Sequence, residues 1–220
     1  MKQKHPLIQG TLILTFASIL SRLIGFYNRI FLSRVIGAKE LGIYQMIFPV
    51  YLLCFAICCQ GFETGLSQLV AAQKACSHRG NIRFLLKTTI FLCFSFSILL
   101  MVMIFLFSDW ISIHLFAAPS AGDCLKIAAL ALPFVAVKES IHGYYVGCSN
   151  SSIPAASQLI EQLTRVTIIF LIASTVFYVK FPGAKLAVAG MTAGEIISCL
   201  FNLSMLKKED LPAIPVEDHK

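Results

Sequence analysis

Two arginines stand inside the first apolar stretch of the chain, and their spacing puts them on one side of a helix. Thr11, Thr15, Ser18, Arg22, Gly25, Arg29 and Ser33 follow each other in steps of three or four, the repeat of a single helical face. The residues between them are mostly Leu, Ile, Phe and Ala. A guanidinium is always charged and grips phosphate oxygens with paired hydrogen bonds. Seven residues apart, Arg22 and Arg29 lie ~10 Å apart along a helix axis, so together they could hold a diphosphate at successive depths. The same pair could instead neutralise Glu161 or Glu195 and only fix helix packing. Spacing alone leaves these two readings level.

Other ionisable groups stand in apolar surroundings: Glu63, Lys138, Glu139, Glu161, Arg165 and Glu195. A charged residue at the centre of a membrane helix costs ~2.5–3.5 kcal/mol on insertion scales, so these groups must face each other or water. Glu161 and Arg165 are four apart and can pair within one helix. Gln158 and Gln162 lie beside them, and Ser157 completes that polar side. An internal ion pair is favoured there over direct contact with a substrate. Glu195 comes just after Gly190 and Gly194, which with Ser198 form a small-residue face that suits close helix packing. It reads as a proton or cation site or as the partner of an arginine. Gly61 and Gly65 flank Glu63 in the same way. His142 stands three and four residues after Glu139 and Lys138, either as a pH-responsive group or as an interfacial residue with a satisfied hydrogen bond.

The elements that must position these groups are membrane helices. Of 220 residues, 57% are hydrophobic and 13% are charged, against roughly 25% charged in a soluble domain. The net charge of +7 fits basic loops beside anionic headgroups, and no basic run with interleaved aromatics suggests a nucleic-acid partner. With about 20 residues needed per crossing, six spans are expected: 7–36, 41–72, 84–108, 123–147, 154–179 and 185–206. They form one all-α membrane lobe over 1–206, followed by a polar cytoplasmic tail, 207–220. A short surface helix is expected over His114 to Ala121, and Gly147 to Ser152 reads as a turn-rich link. Lys2, Lys4, Lys74, Arg79, Arg83, Lys87, Lys207 and Lys208 fall on one side. Arg34, Lys39, Lys126, Lys180 and Lys185 fall on the other. That bias places both termini in the cytoplasm and the chain in the cytoplasmic membrane. The first apolar run is too long, and too interrupted by arginine, to be a cleaved signal.

No catalytic signature is present: H-E-x-x-H, G-x-S-x-G and the P-loop pattern are all missing. The chain is not expected to be an enzyme, and no cofactor is implied. Its eight cysteines contain no C-x-x-C pair and read as reduced, packed side chains. A metal site from Cys54 and Cys58 lacks a neighbouring His or carboxylate.

Several segments together resemble a known family. They are Ser21-Arg22-Leu-Ile-Gly25-Phe26 through Arg29, then Ser33-Arg34-x-Ile-Gly37-Ala38-x-x-Leu41-Gly42-x-Tyr44-Gln45. Gly61 to Ala72, Gly143-Tyr144-Tyr145-x-Gly147, and Ser157-Gln158-x-Ile160-Glu161-Gln162-x-x-Arg165 agree as well. The pattern, nearly as long as the chain, is similar to the stage V sporulation protein B and polysaccharide biosynthesis family. That family comprises MurJ-like lipid flippases of the multidrug/oligosaccharidyl-lipid/polysaccharide exporter superfamily. MurJ spaces its corresponding arginines one residue closer, which puts this chain nearer the sporulation branch. Two positions depart from the family: His142 stands where the family has Arg, and Glu63 where a small or apolar residue is expected.

The resemblance implies two helical lobes around a cationic cavity, with six spans here forming the amino-terminal lobe. Arg22 and Arg29 would line the cavity and hold the diphosphate of a lipid-linked oligosaccharide or peptidoglycan precursor. Glu161, Arg165 and Glu195 would set cavity charge or couple an ion. Members of the family have twelve or more spans, so the chain is expected to be a fragment, a truncated product or half of an assembly whose second lobe lies elsewhere. Two alternatives accompany this reading: a cation-coupled multidrug exporter of the same superfamily, and a non-transporting membrane scaffold subunit in which the charges only pair helices.

Overall fold

The computed structural model describes residues 4–75, 82–174 and 183–208, all helix or short connection. The order is α1 (Lys4–Phe55), a π-helical turn (Ala56–Gln60), α2 (Gly61–Ala75), α3 (Ile82–His114), α4 (Ala121–Ala129), α5 (Leu132–Gly147), α6 (Ser152–Ser174) and α7 (Ala184–Lys208). Four stretches are long and apolar enough to cross a membrane: 12–75, 82–114, 152–174 and 184–207. The chain is a multi-pass membrane protein. Its surface has the matching inversion: Phe16, Phe91 and Leu106 are about 70% exposed, whereas the face of α3 turned inward carries Cys93, Ser97, Ser108 and Ser112.

The first stretch is interrupted. Gly37 has φ 80° and ψ 167° inside α1, a backbone conformation closed to residues with a Cβ. The chain therefore breaks between the two expected spans 7–36 and 41–72. The fourth expected span is not one helix but two, α4 and α5, separated at Leu130 and Ala131. Pro133 causes this: it has no N–H to give the preceding turn, and it sits in the first turn of α5. Ala131 N–H is left bonding Ala128 O three residues back at 3.0 Å.

Two further expectations change. No helix forms over 114–121; α3 runs on to His114, whose ring stacks on Trp110, and a turn with Ala117 at φ 50° follows. At the other end α7 extends through Lys207 and Lys208, and 209–220 lie outside the described residues. So do 175–182, including the end of the span expected at 154–179. Gly147 to Ser152 is the expected link, with Ser149 at φ 63° and Lys74 Nζ donating to Cys148 O at 2.8 Å.

Helix α5 is the centre of the bundle, buried from Leu132 to Gly147 on most of its circumference. Helices α2 and α5 run parallel in close contact: a Cβ on Gly143 would lie 2.6 Å from Glu63 O, and one on Gly147 would lie 2.7 Å from Ser67 O. Helices α6 and α7 are antiparallel neighbours, as the small-residue face predicts. A Cβ on Gly194 would lie 2.9 Å from Glu161 O, and one turn on, Ser198 and Ser157 hydroxyls are 2.7 Å apart. Gly61 and Gly65 behave otherwise, with nothing within 4 Å of an added Cβ among the described residues. The close approach to Glu63 comes from Gly143 instead. Helices α1 and α6 run parallel, in register through Ser18–Gln158 and Phe31–Phe170.

One end of the bundle is tied by charge. Lys126 pairs with Asp109 at 3.1 Å, Lys185 with Asp123 at 2.6 Å, and Glu40 accepts the N–H of Ala184 at the start of α7 at 2.9 Å.

Candidate functional site

The α1–α6 seam opens between Ser21 and Leu32 into a cavity of about 420 Å³. Arg22, Gly25 and Arg29 line it from α1, as the stripe requires, and Gln158, Gln162 and Arg165 line it from α6. Both α1 arginines are exposed in this chain, and neither forms an ion pair among the described residues. Ser18 lies one turn earlier and donates to Gln158 Oε1 at 3.2 Å. Ser33, at the far end of the stripe, does not line the cavity.

The acids that could have neutralised the arginines are engaged elsewhere. Lys138 on α5 holds three carboxylates: Glu195 at 2.6 Å, Glu161 at 2.9 Å and Glu139 at 3.2 Å. Glu161 also pairs with Arg165 at 2.7 Å, the i,i+4 pair read from the sequence. Glu195 accepts from the buried Tyr51 hydroxyl at 3.2 Å. His142 Nδ1 lies 3.3 Å from Glu139. Burial makes this arrangement obligatory: the Lys138 and Glu195 side chains are 5% and 7% exposed, and a charge taken from water needs a partner within reach.

Ser157 does not complete the cavity wall. It faces α7, where Asn202 Nδ2 donates to its hydroxyl at 2.5 Å. The wall is completed by Ser21, Asn28 and Tyr44. Ser21 and Asn28 immediately precede Arg22 and Arg29, so the cavity face is rotated from the stripe toward them. A seven-residue repeat of Ser21 and Asn28 was the available signal. Lys138 was visible as an intramembrane charge, but its place as the hub shared by α5, α6 and α7 depends on contacts across the bundle.

A second, smaller cavity of about 290 Å³ lies beside the network, lined by Glu63, Glu139 and His142 among others. The two departures from the family pattern, Glu63 and His142, thus share one space. Among the described residues no group of His, Cys, Asp or Glu could hold a metal ion. Cys54, Cys58, Cys59, Cys93, Cys124 and Cys199 are free and buried, and Cys58 Sγ donates back to Cys54 O at 2.7 Å.

A family model described as "Polysaccharide biosynthesis protein" matches residues 7–209. The chain belongs to the polysaccharide biosynthesis protein family. Its similarity to curated relatives runs through most of its length. It is 26% identical over 202 residues to stage V sporulation protein B of Bacillus subtilis (strain 168), covering 90% of this chain and 38% of that protein. It is 27% identical over 216 residues to lipid II flippase MurJ of the same organism, covering 91% and 38%. The chain thus spans about two-fifths of the length of these relatives.

Among solved structures, an outward-facing multidrug resistance MATE family transporter of the MOP superfamily superposes with a TM-score of 0.76 at 14% identity. The match covers 98% of this chain and 48% of that one. Lipid II flippase MurJ in an inward closed conformation superposes with a TM-score of 0.67 at 18% identity, covering 87% and 42%. This member of the polysaccharide biosynthesis protein family therefore has the all-α fold of half a MOP-superfamily transporter.

Proposed function

We propose that the chain is the amino-terminal, six-pass lobe of a flippase that carries a lipid-linked oligosaccharide or peptidoglycan precursor across the cytoplasmic membrane. Arg22 and Arg29 bind the diphosphate of that substrate. The observation that carries the reading is the absence of an acidic partner for either arginine among the described residues, while Glu161 and Glu195 are held by Lys138, Arg165 and Tyr51. Guanidiniums lining a polar cavity without internal partners are set out for an anion from outside. An apolar groove of about 460 Å³ continues the same seam, with Leu12 and Phe16 on one wall and Ala155 and Leu159 on the other. An oily groove beside a cationic cavity suits an amphiphile whose head is a diphosphate.

Six passes follow if Gly37 turns the chain and α4 with α5 makes one broken crossing. A continuous helix over 12–75 would be ~96 Å long, against a hydrocarbon core of ~30 Å. The helix directions support the count, since passes one and five run parallel, as do two and four, and five and six are antiparallel. Both termini then lie on one side, the cytoplasmic side by the distribution of Lys and Arg. Residues 1–206 form the lobe, 207–220 are its tail, and a second lobe supplies the other wall of the cavity.

Glu161, Arg165 and Glu195 set the cavity charge from behind. The network holds three carboxylates, Glu139, Glu161 and Glu195, against two cations, Lys138 and Arg165. The excess suits uptake of a coupling ion. A cation-coupled multidrug exporter is the second reading, favoured by this same excess, but its carboxylates would have to leave Lys138 to meet an organic cation. The test is charge reversal in the complete transporter. Arg22→Glu abolishes flipping of the lipid-linked substrate while leaving membrane insertion intact; transport at the wild-type rate would refute the assignment.

A further inference from the structure

Arg165 lines the same cavity as Arg22 and Arg29, yet differs from them in being held. Its Nη2 lies 2.7 Å from Glu161 Oε1, and its side chain is 13% exposed. The pair looks closed, but Arg165 carries unused capacity and Glu161 has a second partner. Arg165 Nε is buried with no hydrogen-bond partner among the described residues, and so is Gln162 Oε1 on the same wall. Glu161 does not depend on Arg165, because its other oxygen, Oε2, receives Lys138 Nζ at 2.9 Å. Removing one member of a buried ion pair is costly when it strands the other charge. Here Lys138 stays on Glu161 when Arg165 leaves.

We propose that Arg165 is a third phosphate-binding guanidinium of the cavity, reserved by Glu161 and released to a diphosphate because Glu161 keeps a second cationic partner in Lys138. This rests on the reading of Arg22 and Arg29 as anion ligands and adds the residue that discriminates between anions. A monophosphate presents one group to grip. A diphosphate presents two, which Arg22 and Arg29 meet at successive depths on α1, and Arg165 from the facing helix adds a third donor across the cavity. The bidentate fork of Arg165, with Nε unspent, is the geometry that phosphate accepts. Glu161 acts as a positioning residue, presenting the guanidinium at the cavity wall and competing with weak anions for it.

The test measures binding of inorganic pyrophosphate and orthophosphate to the complete transporter in nanodiscs. Arg165→Gln weakens pyrophosphate by about tenfold or more while changing orthophosphate far less, so the preference between them collapses. Arg165→Lys keeps the charge but loses the fork, and lowers the preference in the same direction. Glu161→Gln frees Arg165 and tightens pyrophosphate, an outcome that a merely structural ion pair would not give. The proposal is overturned if Arg165→Gln retains the wild-type preference, or if Glu161→Gln leaves pyrophosphate binding unchanged or weaker. Arg22→Gln and Arg29→Gln separate the two levels of the argument. If they weaken pyrophosphate while the Arg165 and Glu161 variants do not respond as stated, only the role of Arg165 falls. If they leave it unchanged, or the wild type binds no pyrophosphate, the anion site itself falls.

Discussion

Lys138 on α5 reaches Glu195 on α7, its Nζ 2.6 Å from Oε2, and this contact ties the central helix to the last one. The same ammonium holds Glu161 and Glu139, so one cation is shared among three buried carboxylates. Replacing it with an apolar side chain strands several carboxylates at once. Lys138→Met is expected to cost at least the ~3–5 kcal/mol typical of breaking one buried pair. A thermal unfolding series in detergent, with Lys138→Arg as the charge-conserving comparison, measures this; equal stability of Lys138→Met and wild type would remove Lys138 from the centre of the network.

Close packing of α2 on α5 gives a second expectation. A Cβ at Gly143 would stand 2.6 Å from the backbone oxygen of Glu63, which cannot swing aside as a side chain would. Gly143→Ala is expected to destabilise by about 1–3 kcal/mol, the usual range for overpacking. Gly61→Ala, at a position with nothing within 4 Å among the described residues, should be neutral or slightly stabilising because alanine favours helix. The pair of variants is read by the same melting experiment.

Asn202 bridges α7 to α6, donating to Ser157 Oγ at 2.5 Å and to Ser198 O at 2.8 Å. Side-chain hydrogen bonds between membrane helices average about 0.6 kcal/mol and reach about 2. Asn202→Ala should fall within that interval. A much larger loss would mean that the bond also sets the position of the α6 face bearing Glu161 and Arg165, and a parallel drop in pyrophosphate binding would reveal it.

Exposed charges at the end of the bundle should matter little. Asp109 pairs with Lys126 at 3.1 Å, but its side chain is 75% exposed, where water and salt compete for it. Asp109→Asn is expected to change stability by less than about 1 kcal/mol, in a denaturation measurement at low and physiological salt.

The arginine stripe was legible because helical periodicity is a local property, and two charges among Leu and Phe are conspicuous. Glu161–Arg165 and the Gly190–Gly194–Ser198 face were legible for the same reason: each lies within one turn or one face of a single helix. The fate of the arginines was not, since it depended on whether Glu161 and Glu195 were free. Lys138 decides that from another helix, 23 residues from Glu161 and 57 from Glu195. Ser157 shows the same limit at shorter range. It stands beside Gln158 in sequence, yet one 100° step around the helix turns it from the cavity to α7. Pro133 marks the break at Leu130 and Ala131, but proline is tolerated in many membrane helices, so the residue alone does not fix an interruption.

The central claim is that Arg22 and Arg29 are set out for a diphosphate. It is tested most directly by the affinity of a polyprenyl diphosphate for the complete transporter in nanodiscs, compared between wild type, Arg22→Gln and Arg29→Gln. Each substitution should weaken binding by about tenfold or more, as loss of a charge-assisted phosphate contact does, with no matching change in melting temperature. Wild-type affinity in both variants would contradict the account.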